Sequence, residues 1–154
     1  MTDTATAGLA VKTRFYENAK TLFDLTVVNV MFGISVENRD RNQAIAFLDI
    51  RSRQEAGPLS ASNRSRNEDL DLTVVISVAS AGDVDDKPVH DTAFGLLRQL
   101  EQYVRKTNTT LDGTCMWCFL TSYDTYGYTP TQDLAQGRLL EIEATFTARI
   151  RITG

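Results

Sequence analysis

Histidine occurs once in this chain of 154 residues, as His90, and cysteine only twice. One histidine excludes a histidine-rich metal centre and leaves a single imidazole for acid–base work. Cys115 and Cys118 cannot build a disulfide framework. No apolar run approaches the roughly 20 residues that a membrane-spanning helix needs. The opening MTDTATAGLAVKTRF lacks a basic segment followed by an apolar core, so no secretory signal is expected. Basic excess is missing too: 16 Lys and Arg stand against 20 Asp and Glu, a net charge of −4. That argues against a dedicated nucleic-acid binder, while leaving room for a local basic patch. There is no P-loop, no GxGxxG and no GxSxG nucleophile elbow. What remains is an ordinary composition, 42% hydrophobic and 23% charged, in a length that suits one domain with a real core. A cytosolic protein, or one assembled in the cytosol, fits.

The patterned segments are clear. After a flexible leader, residues 1–8, Val11, Phe15, Ala19, Leu22 and Phe23 recur at helical spacing. TVVNVMFG, Thr26 to Gly33, is rich in β-branched residues and ends in glycine, as a strand should. A polar loop, Ser35 to Gln43, leads to a second strand from about Ala44. RSRQEAGPLSASNRSRNED, 51–69, is the most polar stretch and shows no apolar periodicity, which predicts a long loop. From Leu70, alternation resumes with Leu72, Val74, Ile76 and Val78, predicting a central strand. Asp85, Asp86 and Pro88 then announce a helix whose stripe is Val89, Ala93, Leu96, Leu97, Leu100 and Val104. A turn around Asp112 and Gly113 introduces a fourth strand that gives way to an aromatic loop, SYDTYGYTP.

The chain closes on RLLEIEATFTARIRITG. Leu140, Ile142, Ala144, Phe146, Ala148, Ile150 and Ile152 alternate without a break, predicting a strand with one buried face. Its other face grades from Glu141 and Glu143, through two threonines, to Arg149 and Arg151. Solvation would explain that order, and so would contact with a second copy, acid end against basic end. The whole predicts an α+β domain over 9–154: a two-layer, mainly antiparallel sheet of about five strands with two helices on one face. Directly joined strands are expected to pair antiparallel.

Few constellations carry chemistry. Cys115-Met-Trp-Cys118 has redox or half-zinc spacing, but redox use needs a helix N-terminus and structural zinc needs four ligands. In a strand, residues three apart face opposite ways, so two reduced packing cysteines are the plainer reading. His90-Asp91 has the pairing of a metal-dependent phosphohydrolase without its further histidines, and fits the first turn of a helix. Glu141 with Glu143, and Asp69 with Asp71, are spaced for paired-carboxylate work but also for a solvated strand face. Tyr123, Tyr126 and Tyr128 offer a ligand or partner surface, or simple packing with wet hydroxyls. Arg51, Arg53, Arg64 and Arg66 suggest a phosphate-binding loop, diluted by Glu55, Glu68 and Asp69 and without aromatics to stack. A segment that is mobile alone and orders against a protein partner accounts for it better.

Taken together, the order of elements resembles the tail terminator proteins of tailed bacteriophages. The elements are an N-terminal helix, two strands, a polar stretch and DLDLTVVISVAS, then an acidic turn, HDTAFGLLRQLEQYVRK and a final EIEATFTARIRI. The resemblance spans about Leu9 to Ile152 and lies in the series of elements, not in an invariant motif. It implies a structural virion protein without catalytic residues, metal or cofactor, assembled in the host cytoplasm. Such proteins form hexameric rings that cap the head-proximal end of the tail tube, stop its polymerisation and join it to head-closure or neck proteins. DNA passes through the lumen. On this reading Glu141, Glu143, Arg149 and Arg151 are expected at subunit contacts, and Arg51, Arg53, Arg64 and Arg66 at the tube or neck. Another neck or head-closure protein is an alternative, and so is a small α+β enzyme or ligand-binding domain using the tyrosines and nearby carboxylates.

Overall fold

A computed structural model describes residues 5–34, 42–56, 65–80, 85–127 and 138–152. Its elements run α1 (Gly8–Leu22), β1 (Val28–Phe32), β2 (Gln43–Ala56), β3 (Arg66–Ser80), α2 (Lys87–Gln102), β4 (Trp117–Tyr126) and β5 (Arg138–Ile152). The strands form one sheet in the order β1-β2-β3-β5-β4, with β3 central as its apolar alternation requires. The chain is an α+β fold. Three of the pairings are antiparallel and β1 with β2 is parallel.

That parallel pair corrects the expectation that directly joined strands run antiparallel. Stretch 33–42 separates them, and ten residues reach roughly 33 Å, about twice the length of five-residue β1. The chain can therefore return to its starting level before pairing. Gly33, at φ +81°, sits at the turn out of β1 where a side chain would be strained.

Both helices cover one face of the sheet, because the apolar parities of helix and strand meet there. Phe15 of α1 stacks edge-on against Phe47 of β2 and Phe146 of β5, with ring centroids 5.1 and 5.0 Å apart. All six stripe residues of the second helix are buried, and so is every apolar alternate of β5 from Leu140 to Ile152. A single π-type turn, Tyr103–Thr107, ends α2 and keeps Val104 in the core. The next turn drives buried Leu111 into the left-handed region, at φ 46°, followed by Asp112 at 58°. Asp112 is held by Asn108 and by Asn18 of α1, which ties this turn to the first helix.

The expected loop over 51–69 is corrected at both ends, while 57–64 lie outside the described residues. β2 continues through Ala56 and β3 begins at Arg66, with Arg51 opposite Asp71, Arg53 opposite Asp69 and Gln54 opposite Glu68. Residues 51–56 and 66–69 are strand although they lack apolar alternation, because inward-facing Ser52 and Gln54 bond to the buried Glu68 carboxylate. The expected leader, 1–8, is corrected in its described part, since Gly8 already belongs to α1, and 1–4 lie outside the described residues. Ala5 to Ala7 are tied to that same cluster, through Gln54 to the Ala5 carbonyl and through Glu68 to Thr6 and Ala7.

Candidate functional site

With helices on one side only, the other face of the sheet is uncovered by any described element. Strand parity decides what it carries. Beside Arg149 of β5 lie Asp69 of β3 and Trp117 of β4, and beyond Asp69 lies Arg53 of β2. Arg149 donates two hydrogen bonds to Asp69, Nε to Oδ1 at 2.8 Å and Nη2 to Oδ2 at 3.1 Å. Its guanidinium also stands 5.9 Å from the centre of the Trp117 ring, which stacks on Phe119. The hydrogen bond from Arg149 holds the Asp69 carboxyl below the ordinary carboxylate range. Next along the sheet, Thr147 donates to Asp71 at 2.8 Å.

The opposite end of this face is acidic. Glu143 pairs with Asp124 and Glu141 with Tyr126 across the β5–β4 ladder. Like charges placed directly opposite repel. The Glu-to-Arg grading of β5 is therefore compensated within the chain at its basic end and left acidic at its other end.

This placement sorts the expected contact residues. Glu141, Glu143, Arg149 and Arg151 all lie on the helix-free face, as strand parity requires. Arg149, however, is engaged by Asp69 of its own chain, and Arg151 reaches Ser65 at 3.5 Å. Arg51 and Arg53 are not loop residues but outward positions of β2, while Arg66 starts β3 and donates to Gln54 at 2.9 Å. Arg64 lies outside the described residues. The three described arginines are thus strand residues, not one loop.

The aromatic loop is corrected in part, since Tyr123 and Tyr126 belong to strand β4, which among the described residues pairs only with β5. Tyr123 packs edge-on against Phe94 of α2 at 5.7 Å yet stays 49% exposed, and Tyr126 is 57% exposed. Tyr128 lies outside the described residues. Phe119 adds a third large side chain, 38% exposed, to the same strand.

Glu68 is the polar residue that sequence reasoning passed over. It has no exposed surface, and its carboxylate accepts from the Thr6 and Ser52 hydroxyls, the Ala7 N–H at 2.7 Å and Gln54 Nε2 at 3.1 Å. Burial alone would raise its pKa, but these four hydrogen bonds outweigh burial and hold it below the ordinary range. The carboxylate also stands at the positive end of α1, whose own N-cap residue Ala7 offers no side-chain acceptor. Its signal was present: Glu68 continues the inward parity of Leu70 and Leu72.

Cys115 precedes β4 instead of lying within it, so the opposite-face expectation for the cysteine pair does not apply, and both are buried and free. Burial pushes the Cys115 thiol up to about 11 and that of Cys118 further still, so neither is a ready nucleophile. His90 stacks on Phe94, with Nδ1 2.8 Å from the Asp86 carbonyl, in the first turn of α2. Among the described residues no group of three or more His, Cys, Asp or Glu is placed to hold a metal ion, and no helix is long and apolar enough to cross a membrane. The chain matches no protein-family model and no curated protein.

Proposed function

We propose that this chain is a structural assembly protein of the phage tail-terminator kind, one that joins copies of itself into a hexameric ring at the head-proximal end of a tail tube. There it stops tube growth and presents a surface to head-closure or neck proteins, with DNA passing through the lumen. The observation that supports this reading is the one-sided sheet. A helix-free face with charges sorted by end, and a β4 edge bearing Phe119, Tyr123 and Tyr126, suit a protein that works by contact. The order of elements supplies the class, through its resemblance to tail terminators.

Within this proposal Glu141 and Glu143 become the leading contact residues. Arg149 is secondary, since leaving Asp69 would cost an existing ion pair. The test is native mass measurement of the full chain alone and with tail tubes, followed by imaging of tube ends. Hexamers, or ring-shaped density at one end of each tube, are expected. A chain that neither assembles nor binds tubes of its own phage overturns the proposal.

A further inference from the structure

We infer that β4 is a docking edge for a second copy of this chain, the two β4 strands pairing antiparallel about a two-fold axis near Thr121 and Ser122. Among the described residues β4 is an edge strand whose sole sheet partner is β5. Among the described residues no backbone hydrogen bond outside the β4–β5 ladder uses Trp117–Tyr126. Edges of this kind are normally protected by lysine, proline, inward-pointing charge or bulges, and of these β4 has only one bulge, with regular runs Trp117–Leu120 and Ser122–Tyr126 on either side of it. WCFLTSYDTY contains no proline and no basic residue, and its one charge is Asp124. The single irregularity, a bulge at Thr121, turns that hydroxyl back onto β5, where it meets the Thr145 carbonyl and Thr147 Oγ1.

Charge order selects the occupant. Arg151 and Arg149, the latter already paired with Asp69, flank the Trp117 end of the strand, whereas Glu141, Glu143 and Asp124 flank the Tyr126 end with no cation opposite them in the ladder. A two-fold rotation lays each copy's basic end beside the other's acidic end. Parallel pairing of the same two edges would set acid against acid. The gradient is therefore complementary to its own reverse, a property that selects a second copy over an arbitrary peptide. Asp124 would stand about two strand spacings, roughly 10 Å, from the partner's β5, and the β5 charges of the two copies about three, roughly 15 Å. These are between one and two Debye lengths at physiological salt, so the attraction is weak and salt-sensitive, and it orients the two edges instead of driving their contact.

This pairing does not rest on the tail-terminator reading. A chain with no affinity for tubes can still pair, and a tube-capping chain can lack the contact. The test begins with sedimentation of the wild-type full chain over a concentration and salt series, where a monomer–dimer equilibrium that weakens with salt is expected. Ser122→Cys should form a disulfide-linked dimer on mild oxidation, and Thr73→Cys, at the centre of the same open face, should not. Glu143→Lys and Arg151→Glu should each weaken association about twofold, as screened charges at this range do. The two together should restore it. A wild-type chain still monomeric at roughly 100 μM, where even weak specific dimers populate, overturns the inference. So does equal cross-linking of the two cysteine variants, even in a chain that forms rings on tubes.

Discussion

Glu68 shows how one residue can join two chain segments that lie far apart in sequence. It has no exposed surface, and its carboxylate gathers donors from the segment before α1, from β2 and from the start of the first helix. Because its folded pKa lies below the unfolded value, its contribution to stability is present above that unfolded value and lost as pH falls through the folded one. Glu68→Gln puts an amide among donors and leaves some of them unpaired, at an expected cost of about 1–3 kcal/mol in neutral solution. Urea unfolding of both proteins across pH checks this: the gap should be full near neutrality and shrink in acid as the wild-type carboxyl protonates. The cysteines make a second prediction at this scale. Both are buried and both thiol pKa values are raised, Cys115 to about 11. A disulfide-exchange reagent should therefore count two thiols quickly only after denaturation, with slow reaction in the native protein.

At the scale of elements, α1 is fastened at both ends and through its middle. Glu68 receives its first turn, Asp112 accepts from Asn18, and Phe15 inserts between Phe47 and Phe146. Phe15→Ala should cost about 3–5 kcal/mol, because a fully buried ring at a three-way aromatic contact leaves a cavity. Denaturant melts followed by circular dichroism test this, with a lowered midpoint and a single cooperative transition expected. The β2–β3 pair teaches a different lesson. Ser52 and Gln54 point inward to Glu68, and Arg51 and Arg53 stand opposite Asp71 and Asp69. Both sides of the ribbon are polar, so the hydrophobic alternation that marks a strand is absent from 51–56. A search for apolar period finds a loop in that stretch, where hydrogen bonding makes a strand.

The described residues form a two-layer body, helices on one face of the sheet and no described element on the other. Covering that side, or the β4 edge, is the natural route to assembly, and the proposed ring depends on it. Glu141→Lys with Glu143→Lys should lower the fraction of ring-capped tubes without changing the melting temperature appreciably, since both lie on the solvent parity of β5. Native mass and tube-end counts check it, and unchanged capping would remove these two residues from the contact. Reversal at Arg149 is a poorer probe, because its pair with Asp69 couples any change to the fold itself.

Sequence by itself determined the amphipathic parts: α1, α2, the central β3 and the unbroken alternation of β5. In each, apolar residues recur at the period of one backbone geometry, so local pattern and burial agree. It also placed the Glu-to-Arg series on one face, since strand parity is a local property. Only the tertiary structure decided that β1 and β2 run parallel, that a polar ribbon is strand, and that Asp69 engages Arg149. Those outcomes depend on partners far along the chain, and a carboxylate such as Glu68 becomes a core residue only when its donors arrive from elsewhere.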